Sequence, residues 1–322
     1  MPRLRQNITT GEWMVVSPER ANRPEDFKVR PFAAQLIHDK QCRFCHGGEA
    51  WQTHYFESVT KYTYTIPNKY PAFSSGLNIE EMGHGFYSDD SSSGVHEVIV
   101  LTDPKDTQDS ISTIAMYDLL KALQSRAKIA EKNPDVASVV PIYNHGMGSG
   151  ATIAHPHAQL FASPVIPGRL KHEFEYTAKY YKENNRCVYC KMAKFEIKED
   201  IRVIAKNNYA VAFAAFAPRF LFETWIVPLK HTNSFMRASD ESIHDVAELL
   251  RFVIKNMDKK LGKPALNWYI HTSRGIDHHL APTYHWHIEI APRIAMFGGF
   301  ELGADMTVET VLPEIAGKYL RG

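Results

Sequence analysis

Apolar positions along the chain change their spacing in a set order, and that order occurs twice. His96-Glu97-Val98-Ile99-Val100-Leu101 reads as a strand, and so does Phe222-Glu223-Thr224-Trp225-Ile226-Val227. Each is followed by a stretch of helical period. Over roughly 107–133 the apolar face is Ile111, Ile114, Ala115, Leu119, Leu120 and Leu123; over roughly 240–261 it is Ile243, Val246, Leu249, Leu250, Val253 and Met257. Ser110 and Ser239 stand where the two helices are expected to start. Two further strands close each half, 138–143 with 157–162 and 266–271 with 285–291, and the last one opens on His-x-His both times, His155-Pro156-His157 and His285-Trp286-His287. The halves also share a beginning: a Cys-x-x-Cys pair, then Asn68-Lys69-Tyr70-Pro71-Ala72-Phe73 in one and Asn207-Asn208-Tyr209-Ala210-Val211-Ala212-Phe213 in the other. The chain therefore reads as α+β, two tandem copies of one unit in which an antiparallel sheet packs with a long helix. The expected division is 1–168 and 169–322, with the join near 164–171 and a helix over 170–184; 89–94 is a loop by composition.

Composition narrows the function classes. Hydrophobic residues make up 44% and charged residues 23% of the 322, as a chain with a buried core requires. Lys plus Arg is 37 against 36 Asp plus Glu, a net charge of +1 that gives no bulk attraction to nucleic acid or an anionic membrane. No apolar run approaches the ~18 residues of a membrane span, and 1–13 lack the apolar core of a secretory signal, so a cytoplasmic protein is the expectation. All four cysteines sit in the pairs Cys42/Cys45 and Cys187/Cys190, beside 16 histidines in the chain. In a reducing compartment such pairs are read as metal ligands before disulfides.

The sharpest segment runs Asn144-His-Gly-Met-Gly-Ser-Gly-Ala-Thr152-Ile-Ala-His155-Pro-His157-Ala-Gln159. A Gly-rich turn offers backbone N–H groups to phosphate oxygens. It leads into a strand on which 155, 157 and 159 share a face. Neutral imidazole beside such a cradle is a nucleophile for phosphorus.

These residues resemble the histidine-triad superfamily, and most closely its two-repeat branch, the galactose-1-phosphate uridylyltransferases and their relatives that act on ADP-glucose. The N-terminal stretch from Thr10 to Pro24, the Asn68–Ala72 loop and Gly298-Gly-Phe-Glu301-Leu-Gly strengthen the resemblance, which covers nearly the whole chain. It implies two histidine-triad-like units. It implies that His157 attacks the α-phosphorus of an NDP-sugar, releases sugar 1-phosphate, and passes the nucleotide to a second sugar 1-phosphate or to phosphate. It assigns phosphate contacts to Gln159, Asn144, Thr152, Arg20 and Arg23, the base to the loop at Asn68, and the sugar to Glu301. The other ring nitrogen of His157 would be held by a backbone carbonyl. Gln159 stands where the hydrolases of the superfamily carry a third histidine; it cannot transfer a proton, which favours a transferase. A homodimer is also implied, with the segment around Glu301 completing the partner's site.

The resemblance further implies a tetrahedral zinc site in each half. The second half supplies Cys187, Cys190, His231 and His285; the first supplies Cys42, Cys45 and His155. Lys105 falls opposite His231, so the fourth ligand of the first site would be Asp106 or His96, or the site is lost. A competing iron set, Glu173, His271, His285 and His287, is the less favoured alternative because thiolates favour zinc. His287 is read as structural, and His278 and His279 as loop residues. Uridylyl transfer between UDP-glucose and galactose 1-phosphate is the first functional reading. Phosphorolysis of an ADP-sugar or dinucleotide is the alternative, and a zinc-binding adaptor for nucleic acid lacks the basic surface it would need.

Overall fold

The computed structural model describes residues 1–17, 19, 42–75, 86–87, 90–105 and 110–321. The strands are β1 (Arg3–Gln6), β2 (Trp13–Val16), β3 (Thr63–Pro67), β4 (Val95–Leu101), β5 (Ser138–His145), β6 (His157–Ser163), β7 (Val203–Lys206), β8 (Ala210–Ala214), β9 (Thr224–Pro228), β10 (Leu266–His271), β11 (His287–Pro292) and β12 (Val308–Glu309). The helices are α1 (Thr113–Ala130), α2 (Gly168–Asn184), α3 (Val188–Glu199), α4 (Asp240–Leu261), α5 (Gly299–Ala304) and α6 (Pro313–Arg321).

The repeat is plain in the strand order. Nine strands form one sheet, β3-β4-β6-β5-β10-β11-β9-β8-β7, so β3-β4-β6-β5 of the first unit mirrors β8-β9-β11-β10 of the second. All its pairings are antiparallel, and β5 joins β10 in the middle, with Asn144 opposite Asn267. A small sheet, β1-β2-β12, brings the N-terminal hairpin beside the C-terminal segment.

Strand alternation then sorts the side chains. Ile99, Leu101, Ala158, Leu160, Leu266, Trp268, Ile288 and Ile290 turn to one face and form a common core with Leu119, Leu120, Leu123, Leu250 and Val253 of α1 and α4. The opposite face carries the polar residues of the same strands: His96, Asn144, His157, Gln159, Asn267, His271, His287 and Glu289.

Several boundaries differ from expectation. Helix α1 is shorter than 107–133: Ser112 caps it by accepting from the Ala115 N–H at 3.1 Å, while the Ser110 hydroxyl binds the Lys105 carbonyl. Ile114 stands in its first turn at 59% exposure, off the buried stripe. Ser239 does cap α4, and every apolar position expected there is buried. The strand at 222–227 starts two residues later, at Thr224, after Phe222 adopts φ 63. The last strand of the first unit starts at His157 as expected, whereas that of the second starts at His287 and not at His285, so His155 and His285 both lie in the approach. Helix α3, begun by the second Cys-x-x-Cys, was not expected, since its pattern was read only as ligand spacing.

Candidate active site and metal clusters

His157 opens β6 at 8% exposure, with Phe44 edge-on at 5.2 Å between ring centroids. Its Nδ1 lies 2.8 Å from the His155 carbonyl, the bond expected from the resemblance. A carbonyl only accepts, so Nδ1 carries the proton and Nε2 keeps its lone pair. Burial lowers the pKa of His157, against the pull of that bond, and favours the free base. Among the described residues no hydrogen-bond partner meets Nε2. The protein thus holds a neutral imidazole with one nitrogen anchored and the other able to attack.

Two amides flank this imidazole on the same face. Gln159 is two residues along β6, and its Oε1 lies 2.9 Å from Nε2 of His96 on β4. Asn144 is the penultimate residue of β5, and its Oδ1 accepts from Asn267 Nδ2 at 2.7 Å; the same Asn267 amide also reaches the Ser149 carbonyl at 2.9 Å. Asn267 belongs to the second unit and no motif announced it. Between Asn144 and His157 runs the Gly-rich turn. Gly146 has φ 75, and an added Cβ would meet Ala265 at 3.0 Å, so both conformation and space require glycine there. Thr152 lies exposed in the same segment. Asn68 follows β3, where its Oδ1 accepts from the Tyr70 N–H at 2.9 Å and its side chain touches His96. Arg20 and Arg23 lie outside the described residues. Glu301 is in α5, where it accepts from the Gly298 N–H at 2.9 Å and lines a cleft with Arg219, Phe220, Phe297 and Glu309. No hydrogen bond links it to His157, Gln159 or Asn144 among the described residues.

The metal-ligand sets assemble as two clusters. In the second unit the ligand atoms of Cys187, Cys190, His231 and His285 all lie within 4.8 Å of one another. Cys190 Sγ is 3.3 Å from His231 Nδ1 and 3.4 Å from His285 Nδ1. A tetrahedral zinc with the usual bond lengths separates S and N ligands by about 3.6 Å, so the donor set and its spacing fit that ion. His231 Nε2 is anchored on the Ala281 carbonyl at 2.7 Å, which turns Nδ1 to the cluster. Hydrogen bonds from Cys187 and then from the two histidines favour the Cys190 thiolate.

In the first unit Cys42 and Cys45 lie 3.5 and 3.7 Å from His155 Nδ1, and His155 Nε2 is anchored on Leu101 O at 2.7 Å. This set has three members among the described residues. His96 is not a fourth: both its nitrogens are engaged at Gln159, Asn68 and Ala72. Asp106 lies outside the described residues, and Lys105 is exposed.

The proposed iron set does not assemble as such. His285 faces Cys190, and the remaining three residues gather instead with Glu289. Arg169 and Arg219 approach Glu289 at 3.4 and 3.2 Å, His271 lies 2.8 Å from Glu173, and Tyr284 donates to Glu173 at 2.7 Å. The acidic charge is met by cations of the chain itself, an arrangement that suits a buried ion-pair network better than a divalent ion. Burial alone would raise the Glu173 carboxyl, but His271 prevails and holds it down at about 2. His287 occupies the position of His157 in the repeat, with its Nδ1 3.1 Å from the His285 carbonyl, yet it is fully buried against Tyr189 at 4.6 Å and Trp225 at 5.2 Å. Its ring is closed in by packing, where that of His157 meets Phe44; His278 and His279 lie exposed in a short loop helix.

Comparison with known proteins places these features. The family model described as "Galactose-1-phosphate uridyl transferase, N-terminal domain" matches residues 1–167, and one described as a domain of unknown function matches 109–319. An ADP-glucose phosphorylase of Arabidopsis thaliana is 29% identical over 99% of this chain and 92% of its own length. A galactose-1-phosphate uridylyltransferase of Thermotoga maritima is 25% identical over 100% and 98%. The crystal structure of an Arabidopsis thaliana ADP-glucose phosphorylase with bound ADP-glucose superposes with a TM-score of 0.84 at 27% identity, covering 100% of this chain and 99% of that one. A structure of uridylyltransferase gives 0.77 at 23% identity, covering 100% and 97%. With a family model matching more than half its length and relatives aligned along nearly all of it, this chain belongs to the galactose-1-phosphate uridylyltransferase family, ADP-glucose phosphorylase relatives included.

Proposed function

We propose that the chain moves a nucleoside monophosphate through a covalent adduct on His157, with an ADP-sugar as donor and phosphate as acceptor. The observation that carries the reading is the anchored imidazole: Nδ1 bound to the His155 carbonyl and Nε2 left as a base on the face that holds Gln159 and Asn144. In the first step Nε2 forms a bond to the α-phosphorus, the bond to the bridging oxygen breaks, and sugar 1-phosphate departs. In the second, an oxygen of phosphate attacks the adduct and the N–P bond breaks, giving nucleoside diphosphate. Asn144, Gln159 and the turn before His155 supply donors to the phosphoryl oxygens, whose charge grows in both steps. Arg20, Arg23 and Thr152 are assigned to the same charge, and Asn68 to the base. Gln159 has no proton to give, so the adduct is not aided toward water. Adenine is favoured because the ADP-glucose-type relative has the higher identity and the closer superposition at full coverage. Uridylyl transfer to a hexose 1-phosphate is the second reading, supported by the description of the family model that covers the nucleophile.

The test is a panel of ADP-glucose and UDP-glucose, each with phosphate, glucose 1-phosphate and galactose 1-phosphate. Products are resolved by anion exchange, and the protein mass is read without acceptor. The proposal expects a mass gain of AMP on His157 and phosphate-dependent ADP. A UMP adduct with galactose 1-phosphate as the competent acceptor would move the assignment to the second reading, and no adduct with either donor would refute both.

Zinc is proposed for the Cys187, Cys190, His231, His285 set, where it would act as a structural tether between the start of α3 and the approach to β11. The Cys42, Cys45, His155 set would hold a second ion with a fourth ligand such as Asp106. A homodimer, with Glu301 reaching the partner's sugar site, completes the proposal and is checked by sedimentation; a fully active monomer would contradict it.

A further inference from the structure

His96 carried no functional assignment beyond that of a possible ligand, yet it is the best-connected polar group beside His157. It lies on β4 at 8% exposure, directly paired with Phe161 of β6 and stacked near its ring at 3.9 Å between centroids. The Ala72 N–H reaches His96 Nδ1 at 3.0 Å. A backbone N–H can only donate, so Nδ1 is an acceptor and, in the neutral ring, Nε2 bears the proton. Two side-chain amides stand near Nε2, Gln159 Oε1 at 2.9 Å and Asn68 Nδ2 at 3.0 Å. The Asn68 oxygen is already taken by the Tyr70 N–H at 2.9 Å. The proton of Nε2 therefore goes to Gln159, and the Asn68 NH2 is a neighbour of the ring rather than its hydrogen-bond partner.

This bond removes an ambiguity that every glutamine has. Turned by 180°, the Gln159 amide would present its oxygen to an anionic phosphoryl group and repel it. With the oxygen held by His96, the two N–H groups point away from His96, and among the described residues no acceptor of the chain meets them. We propose that His96 is the positioning residue of this site: its Nε2–H holds the Gln159 oxygen so that only the NH2 faces the phosphate attacked by His157, while its Nδ1 ties the same unit to the Asn68–Ala72 loop. The inference rests on the nucleotidyl-transfer reading for its consequence, but the hydrogen-bond assignment does not. It gives the loop assigned to the base and the donor to the phosphate a common anchor 24 residues from one and 63 from the other. The placement of that loop and the orientation of the donor then depend on one ring.

Two substitutions divide the roles of the ring. His96→Asn places an amide near the Nδ1 position, keeping an acceptor for Ala72 and losing the donor to Gln159. His96→Gln reaches the Nε2 position, keeping the donor and losing the acceptor. Circular dichroism and metal content establish that each is folded. With ADP-glucose and UDP-glucose as probes, His96→Asn should lower kcat for adduct formation about 10- to 100-fold, the scale of a misplaced reacting group, with little change in KM. His96→Gln should recover most of that kcat and raise KM. In a Gln159→Ala background His96→Asn should cause no further loss. An undiminished further loss in that background, or an unchanged kcat in His96→Asn, would overturn the proposal. Nitrogen-15 spectra of the resting wild-type protein test the anchor without any substrate: the Nε2–H tautomer supports it and the Nδ1–H tautomer overturns it. Should the wild type form no adduct, the functional reading falls, and the tautomer still decides the anchor.

Discussion

Replacing His157 by glycine removes the imidazole to which the covalent step is assigned. The side chain is 8% exposed, so its loss leaves an imidazole-sized hole bounded on one side by Phe44. Three terms set the stability change. The His155 carbonyl loses its donor, at about 1–3 kcal/mol for a buried group. The edge-on contact with Phe44 contributes ~0.5–1.5 kcal/mol. Glycine in a strand adds about 0.5–1 kcal/mol. The total, roughly 2–5.5 kcal/mol, lies below all but the lowest part of the 5–15 kcal/mol stability of an ordinary domain, so the variant should fold. Its turnover of the natural donor should fall by a factor on the order of 10⁴ or more, the range seen when a covalent nucleophile is removed. A nucleoside 5′-phosphoimidazolide carries its own imidazole and can enter the hole with the phosphorus already bonded to nitrogen. It skips the first step and should donate its nucleotide to the acceptor. The assay follows nucleoside diphosphate or NDP-sugar formation by anion exchange from each donor in parallel. Imidazolide-dependent product without natural-donor turnover is expected. Turnover of the natural donor within tenfold of wild type would refute covalent catalysis by His157.

Cys187→Ser should reduce bound metal and lower Tm, because a structural zinc contributes on the order of 10 kcal/mol to a small fold; metal analysis showing unchanged zinc would remove Cys187 from the ligand set. Arg169→Met should destabilise by about 3–5 kcal/mol in denaturant titration, since it leaves the buried Glu289 and Glu173 charges less compensated, whereas a change under 1 kcal/mol would mean the network is not held by that cation. Glu309 is buried with one carboxylate oxygen unpaired, and burial, reinforced by Glu223 and Glu301, raises its pKa to about 8. Its folded pKa exceeds the unfolded one, so the stability of its protonated form is full below about pH 4.5 and is lost as pH rises through about 8. Glu309→Gln should therefore raise Tm at pH 8.5 relative to wild type and leave it nearly unchanged at pH 4.5; an equal shift at both would contradict the assignment.

The repeat and its elements were legible because each depends on local spacing. The α4 stripe runs from Ile243 to Met257 without interruption, and the sequence reading and the structure agree on it. The His-x-His-x-Gln run was legible for the same reason: chemistry on one strand face needs alternate residues. What escaped the sequence depends on register across the sheet. Asn267 meets Asn144 only because β10 pairs with β5 over a separation of 123 residues. His96 was considered as a ligand for its residue type alone, but its place opposite Phe161 turns it to Gln159 instead. Glu289 was invisible as the group that would join Glu173, because the sequence shows neither Arg169 nor Arg219 arriving from other elements.

The second unit keeps the carbonyl latch on its own histidine, His287 to the His285 backbone, in a place no substrate can enter. A tandem duplication explains the pair, and the buried copy acts as an internal control. The latch forms in both units, so it follows from the backbone of the turn before this strand and not from what surrounds the ring. The hydrogen bond that anchors Nδ1 is thus a property of the repeated unit. The copies differ in what surrounds the ring: an amide stands at 159 beside His157, and a carboxylate at 289 with two arginines beside His287.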